Sequence, residues 1–95
     1  MNVKEAVSRA KDYVSDIFAN EEIEELGLEE VEFDSEANCW SVTVGFARPW
    51  EKKRETNSLS FLASNALRRT YKVVLINAND GSVTSVKDKR LQTAA

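Results

Sequence analysis

Apolar residues recur through the first eighteen positions at intervals of three, one, three, three, one, three and one: Val3, Ala6, Val7, Ala10, Tyr13, Val14, Ile17 and Phe18. This spacing follows the 3.6-residue period of an α-helix and sets all of them on one stripe. Lys4, Glu5, Lys11, Asp12 and Asp16 take the other side. The pattern predicts an amphipathic helix over residues 2–20, with Asn2 as N-cap. The run "NEEIEELG" either extends this helix or makes a separate turn. Gly27 is expected to stop it, because glycine takes a left-handed cap without a side-chain clash.

The period then changes to two. Val31 and Phe33 alternate with Glu30, Glu32 and Asp34. "DSEAN" reads as a turn, after which Trp40, Val42, Val44 and Phe46 alternate with Ser41, Thr43 and Gly45. This is a hairpin with one apolar and one polar face, the signature of an antiparallel sheet covered on one side. Cys39 falls opposite Trp40 in the alternation. Pro49 ends the second strand, since it has no N–H for the ladder. "EKKRETNS" reads as a loop, and Leu59, Leu62, Ala63, Ala66 and Leu67 fit a short second helix at about 58–68. "TYKVVLIN" is apolar on both alternating sets and is expected at the centre of the sheet. Asp80-Gly81 is a hairpin turn signal. Val83 and Val86 are the apolar positions of a last strand, and their spacing of three predicts a bulge or an early end.

The order is helix, hairpin, long connection, hairpin. The expected fold class is α+β: an N-terminal helix packed on a four-stranded antiparallel meander, which buries both apolar surfaces in two layers. Residues 1–90 form one small domain and 91–95 a frayed tail. At 95 residues, 42% apolar and 31% charged, the chain is ordinary for a globular protein near the lower size limit for folding without staples. Its one cysteine, Cys39, rules out an internal disulfide. No apolar run reaches the length of a membrane span. The opening "MNVKEAVSRAKDYV" reads as a folded helix and not as a secretory signal. The expectation is a cytoplasmic protein.

Three segments resemble the PepSY and PepSY-like small domains: the opening "KEAVSRAKDYV" helix, the "CWSVTVGF" strand and, above all, "YKVVLINANDGSVTSVKD". The last run is similar to the closing pattern of that family: an aromatic-led strand, an acidic or amide turn with glycine, then a strand opening on a small residue and valine. The resemblance covers about two thirds of the chain. It implies a helix-plus-meander fold and an inhibitory or regulatory role. A cystatin-like arrangement, one helix against a curved sheet, is related.

Charge divides the chain. Residues 1–46 hold twelve acids and three bases, a balance of −9; residues 47–95 hold four acids and ten bases, a balance of +6, and the sum is the net −3. Nine of the acids lie in "EEIEELGLEEVEFDSE". Either the two halves attract each other within the fold, or they form complementary patches that steer a partner.

Much chemistry is excluded. The chain has no histidine, so it lacks the commonest general base and metal ligand. One cysteine and no histidine leave a structural zinc site short of ligands. Nucleophile–histidine–acid arrangements cannot form within the chain. Ser8 and Lys11 match the spacing of a Ser-x-x-Lys nucleophile, but without its partner motifs. Aligning Gly81 with the sixth position of a calcium loop puts Ile76 first and Lys87 twelfth, both unable to ligate. No phosphate loop is possible with glycines at 27, 45 and 81. The chain is expected to be no enzyme and to hold no metal or cofactor.

The remaining candidate is the segment after the second strand, "RPWEKKRE". Trp50 either folds under the domain as a lid, or is held out by Pro49 together with Arg48. Tryptophan and arginine are frequent interface anchors. The expected partner-binding edge is Arg48, Pro49, Trp50, Lys52, Lys53 and Arg54, with the three last residues steering an acidic counterpart. The functional expectation is a non-enzymatic protein-interaction or regulatory module, inhibitory in one version, whose partner is another protein or a second copy. The main alternative is a nucleic-acid or anionic-ligand binder using the bases of the second half, with Trp50 as a stacking platform. A weaker alternative is an enzyme whose site a partner chain completes.

Overall fold

The computed structural model describes residues 1–48 and 69–89. Helix α1 spans Val3–Ile17 and starts with a capping box. Asn2 Oδ1 accepts from the Glu5 N–H and Glu5 Oε1 accepts from the Asn2 N–H, both at 2.8 Å. The helix ends before residue 20. A 3-10 turn, Ala19–Glu21, follows Phe18, and Glu22 takes the left-handed conformation with φ 52°. The expected stop at Gly27 is therefore corrected: Gly27 lies inside the first strand, opposite Gly45. The physical reason is the acidic run. Its carboxylates oppose the negative C-terminal end of a helix, and no basic residue sits in the last turn of α1 to offset them. Ile23, just before the first strand, and Leu26, within it, pack against the core instead.

The strands are β1 (Glu24–Asp34), β2 (Cys39–Ala47), β3 (Thr70–Asn77) and β4 (Val83–Asp88), all antiparallel in the order β1-β2-β3-β4. The meander and the central place of "TYKVVLIN" are as expected. So is the irregularity in the last strand: Leu75 opposes Ser85 and Ile76 opposes Val83, leaving Thr84 as an extra residue. The Thr84 hydroxyl donates to the Leu75 carbonyl at 3.2 Å. β1 carries two register shifts of its own, between Glu24 and Gly27 and between Leu28 and Glu30.

Side chains close both hairpin turns. Asp34 Oδ1 accepts from the N–H groups of Glu36 and Ala37. Asn77 Oδ1 accepts from the Asn79 N–H at 2.7 Å, and Asp80 Oδ1 from the N–H and hydroxyl of Ser82 at 2.9 and 2.8 Å. Gly81 needs its freedom here: φ is 76°, and a Cβ would come within 2.9 Å of Met1 Cε. The two turns meet where Asn38 Nδ2 donates to Asn79 Oδ1 at 2.8 Å.

Ala6, Ala10 and Val14 of α1 are fully buried against Val42, Val44, Phe46, Val74 and Ile76. Two alanines on the contact line let the helix sit close to the sheet. The contact is shorter than the sequence stripe: Val3 and Ile17, the first and last residues of α1, and Tyr13, on the flank of the stripe, stay exposed.

The second face of β2 departs from expectation. Thr43 and Gly45 are buried, although α1 packs on the other face. The Tyr71 ring lies directly on Gly45, where a Cβ would meet Tyr71 Cε1 and Glu29 Oε2 at 2.9 Å. Above Thr43, the Lys89 ammonium donates to Glu30 Oε1 at 2.7 Å. Long side chains from β1, β3 and the end of β4 thus roof the middle of a face that its polar alternation had placed in water.

Candidate functional site

Arg48 is the one residue of the expected partner-binding edge that lies among the described residues. Pro49, Trp50, Lys52, Lys53 and Arg54 fall outside them, as does the helix expected at 58–68. The Arg48 guanidinium sits 5.3 Å from the centre of the Phe18 ring and 5.6 Å from that of Phe46. These rings form a tilted pair 5.3 Å apart. Arg48 Nε lies 3.4 Å from Glu21 Oε1, and the side chain is 16% exposed. A second cation, Lys72, approaches the Phe18 ring to 5.5 Å and pairs with Asp88. The Arg48 side chain is thus turned toward Phe18, Phe46 and Glu21. The negative faces of two rings and a nearby carboxylate attract the guanidinium more than open water does.

The bases of the second half meet the acids of the first. Besides Arg48 with Glu21, Arg69 reaches Glu25 and Glu29 at 3.7 and 3.5 Å, and Lys89 reaches Glu30. Arg48 and Arg69 stand at the two ends of the connection between β2 and β3, and both are held by the acidic run. Of the two readings of the charge division, these contacts support attraction within the fold.

A different surface gathers the exposed apolar residues. Between α1 and β1 runs a groove of about 470 Å³ lined by Val3, Val7, Leu28 and Val31, with Lys4 and Lys11 on its helical rim. Val3 and Leu28 are each 43% exposed. Phe33, 45% exposed, continues the line of β1 apolar residues and stacks at 4.9 Å against Trp40. β1 is an edge of the sheet, and no described strand pairs with its outer side. Glu30, Glu32 and Asp34 oppose Thr43, Ser41 and Cys39 on one face, while Val31 and Phe33 oppose Val42 and Trp40 on the other.

The opposite flank of α1 is polar. Ser8, Arg9, Asp12 and Asp16 face Ser82 and Val83 across an open cleft. In the turn before Ser82 the Asp80 carboxyl is held below its ordinary value, first by the backbone N–H of Ser82, then by the Ser82 hydroxyl. Among the described residues no group of three or more cysteines and carboxylates is placed to hold a metal ion, and no helix is long and apolar enough to cross a membrane. No family model matches the chain, and no curated protein or solved structure shows a significant match to it.

Sequence reasoning missed the groove because it read residues 20–27 as helix or turn and gave Leu28 no place in a strand. The available signal was the alternation of Leu26 and Leu28 around Gly27, a period of two shifted by one residue from that of Val31 and Phe33, as the register shift between Leu28 and Glu30 requires. The exposure of Val3 had no sequence signal, since its place on the stripe equals that of buried Val14.

Proposed function

We propose that this chain is a non-enzymatic protein-interaction module of regulatory or inhibitory type, cytoplasmic in setting, which binds its partner along the flank between α1 and β1. The observation that carries this reading is a groove with Val3 and Leu28 left 43% exposed in its lining and Phe33, 45% exposed, further along β1, beside a strand edge that no described strand pairs. Exposed apolar surface collected in one concave place is a mark of recognition, whereas scattered exposed residues are not. The PepSY-like segments agree with a regulatory role. The alternative of a basic nucleic-acid surface draws no support from Arg48, Arg69, Lys72 and Lys89, because each already faces a carboxylate.

The test is capture of a binding protein by the immobilised full chain, followed by reconstitution with that protein purified. Leu28→Glu puts a charge in the groove at an exposed position, so the fold tolerates it. It is expected to weaken the reconstituted complex by about tenfold or more, the scale of losing an apolar anchor. Unchanged affinity in Leu28→Glu overturns the reading.

A further inference from the structure

The outer edge of β1 has a chemical pattern. Between Glu30 and Asp34 its register with β2 is regular, whereas the register shifts at 24–30 break the strand before it. Along this regular stretch the side chains facing away from α1 are Glu30, Glu32 and Asp34, and those facing the helical side are Val31 and Phe33. An edge strand of this kind offers unpaired backbone N–H and C=O groups to an incoming strand. The neighbour's side chains would lie beside those of β1, face by face. Next to Glu30, Glu32 and Asp34 the favoured neighbours are lysine or arginine. Next to Val31 and Phe33, and over the groove of Val3, Val7 and Leu28, they are apolar.

We infer that β1 accepts an extended segment of a partner protein in which basic and apolar residues alternate, added as a fifth strand beside Glu30–Asp34. The inference rests on the protein-binding reading of this flank and names the chemistry of the partner. The charge pattern excludes the simplest self-association. Two copies joined β1 to β1 would set carboxylates against carboxylates, which destabilises the pairing. Glu32 is the most available of the three acids, since it makes no ion pair among the described residues, whereas Glu30 holds Lys89 and Asp34 closes the turn. Strand addition draws affinity from main-chain hydrogen bonds and specificity from alternate side chains, and both elements lie at this edge.

The test uses the full chain and three blocked synthetic peptides: one alternating lysine and valine, one of the same composition with the lysines and valines in blocks, and one helix-forming peptide of leucine and lysine. The alternating peptide is expected to bind about tenfold more tightly than the block peptide, with new hydrogen-exchange protection at amides within 30–34. Glu32→Lys is expected to weaken it about fivefold and to favour an alternating glutamate–valine peptide instead. Equal binding of the alternating and block peptides overturns the inference, as does an unchanged preference in Glu32→Lys. Protection of amides 30–34 without peptide, in a chain assembled edge to edge with its own copies through the Lys87 side of β4, also overturns it. If only the helix-forming peptide binds, and Leu28→Glu removes that binding, strand addition fails while the protein-binding reading survives. If no peptide binds and Leu28→Glu leaves the reconstituted partner complex unchanged, both fail.

Discussion

Arg69 Nη2 donates a hydrogen bond of 3.0 Å to the backbone carbonyl of Glu25, a residue whose φ is 57°. A side chain other than glycine costs about 1–2 kcal/mol in that left-handed region. The irregular start of β1 therefore needs outside support, and the arginine at the far end of the β2–β3 connection provides it. Its guanidinium also faces the carboxylates of Glu25 and Glu29.

Removal of this arginine is the first prediction. Arg69→Ala is expected to lower stability by about 1–2 kcal/mol, the range of one charge-assisted hydrogen bond discounted for partial exposure. Hydrogen exchange should accelerate at residues 24–29 and stay unchanged in the centre of β2. A variant with the parent's denaturant midpoint and parent exchange at 24–29 would show that the bulge holds itself.

Arg48 supplies the second prediction. Its contacts with Phe18, Phe46 and Glu21 make it part of the packing at the C-terminal end of α1. Arg48→Ala should cost about 1–2 kcal/mol of stability, from the stacked cation and the covered ring surface together. Arg48→Lys should lose part of this, because an ammonium cannot lie flat on two rings. The measurement is thermal or denaturant unfolding of the purified variants. If Arg48→Ala melts with the parent, the packing role is refuted and the anchor role regains ground.

A third prediction concerns pH. The Asp80 carboxyl titrates below the ordinary aspartate value of about 3.9, because Ser82 donates to its charged form from the backbone and from the hydroxyl. A folded value below the unfolded one contributes stability above about pH 4, and this contribution is lost as pH falls through the folded value. Asp80→Asn should therefore be less stable than the parent at neutral pH, and the gap should close in acid below the folded value. Unfolding midpoints across that range decide it: a gap that is constant with pH would mean the carboxylate charge is irrelevant to the turn.

By itself, the sequence determined the elements whose signals are local. The α1 stripe, the cap at Asn2, the alternation of Trp40 through Phe46, the apolar β3 run and the turn at Asp80-Gly81 each depend on neighbours within a few positions. An N-terminal helix and four strands in this order leave a meander as the short solution, so the architecture of the described residues was legible too. The helix end was less so. Glu21 through Glu25 are individually good helix formers. What keeps them out of the helix is their collective charge at the end of α1 and the attachment of Ile23 and Leu26 to a core that exists only after folding.

Tertiary structure alone decided the surfaces. Val3 and Val14 share one sequence stripe, yet one is exposed and the other buried, because Val3 stands at the first position of α1 while Val14 sits against the core of the sheet. Arg48 and Arg69 were free cations in the sequence and became fixed ones when the fold brought Glu21, Glu25 and Glu29 beside them. Thr43 and Gly45 read as solvent-facing and are roofed by Tyr71, Glu29 and the Lys89–Glu30 pair. In each case the deciding partner lies more than ten residues away along the chain. Burial and electrostatic pairing are properties of distance in space, and periodicity along a sequence reports only which way a side chain points.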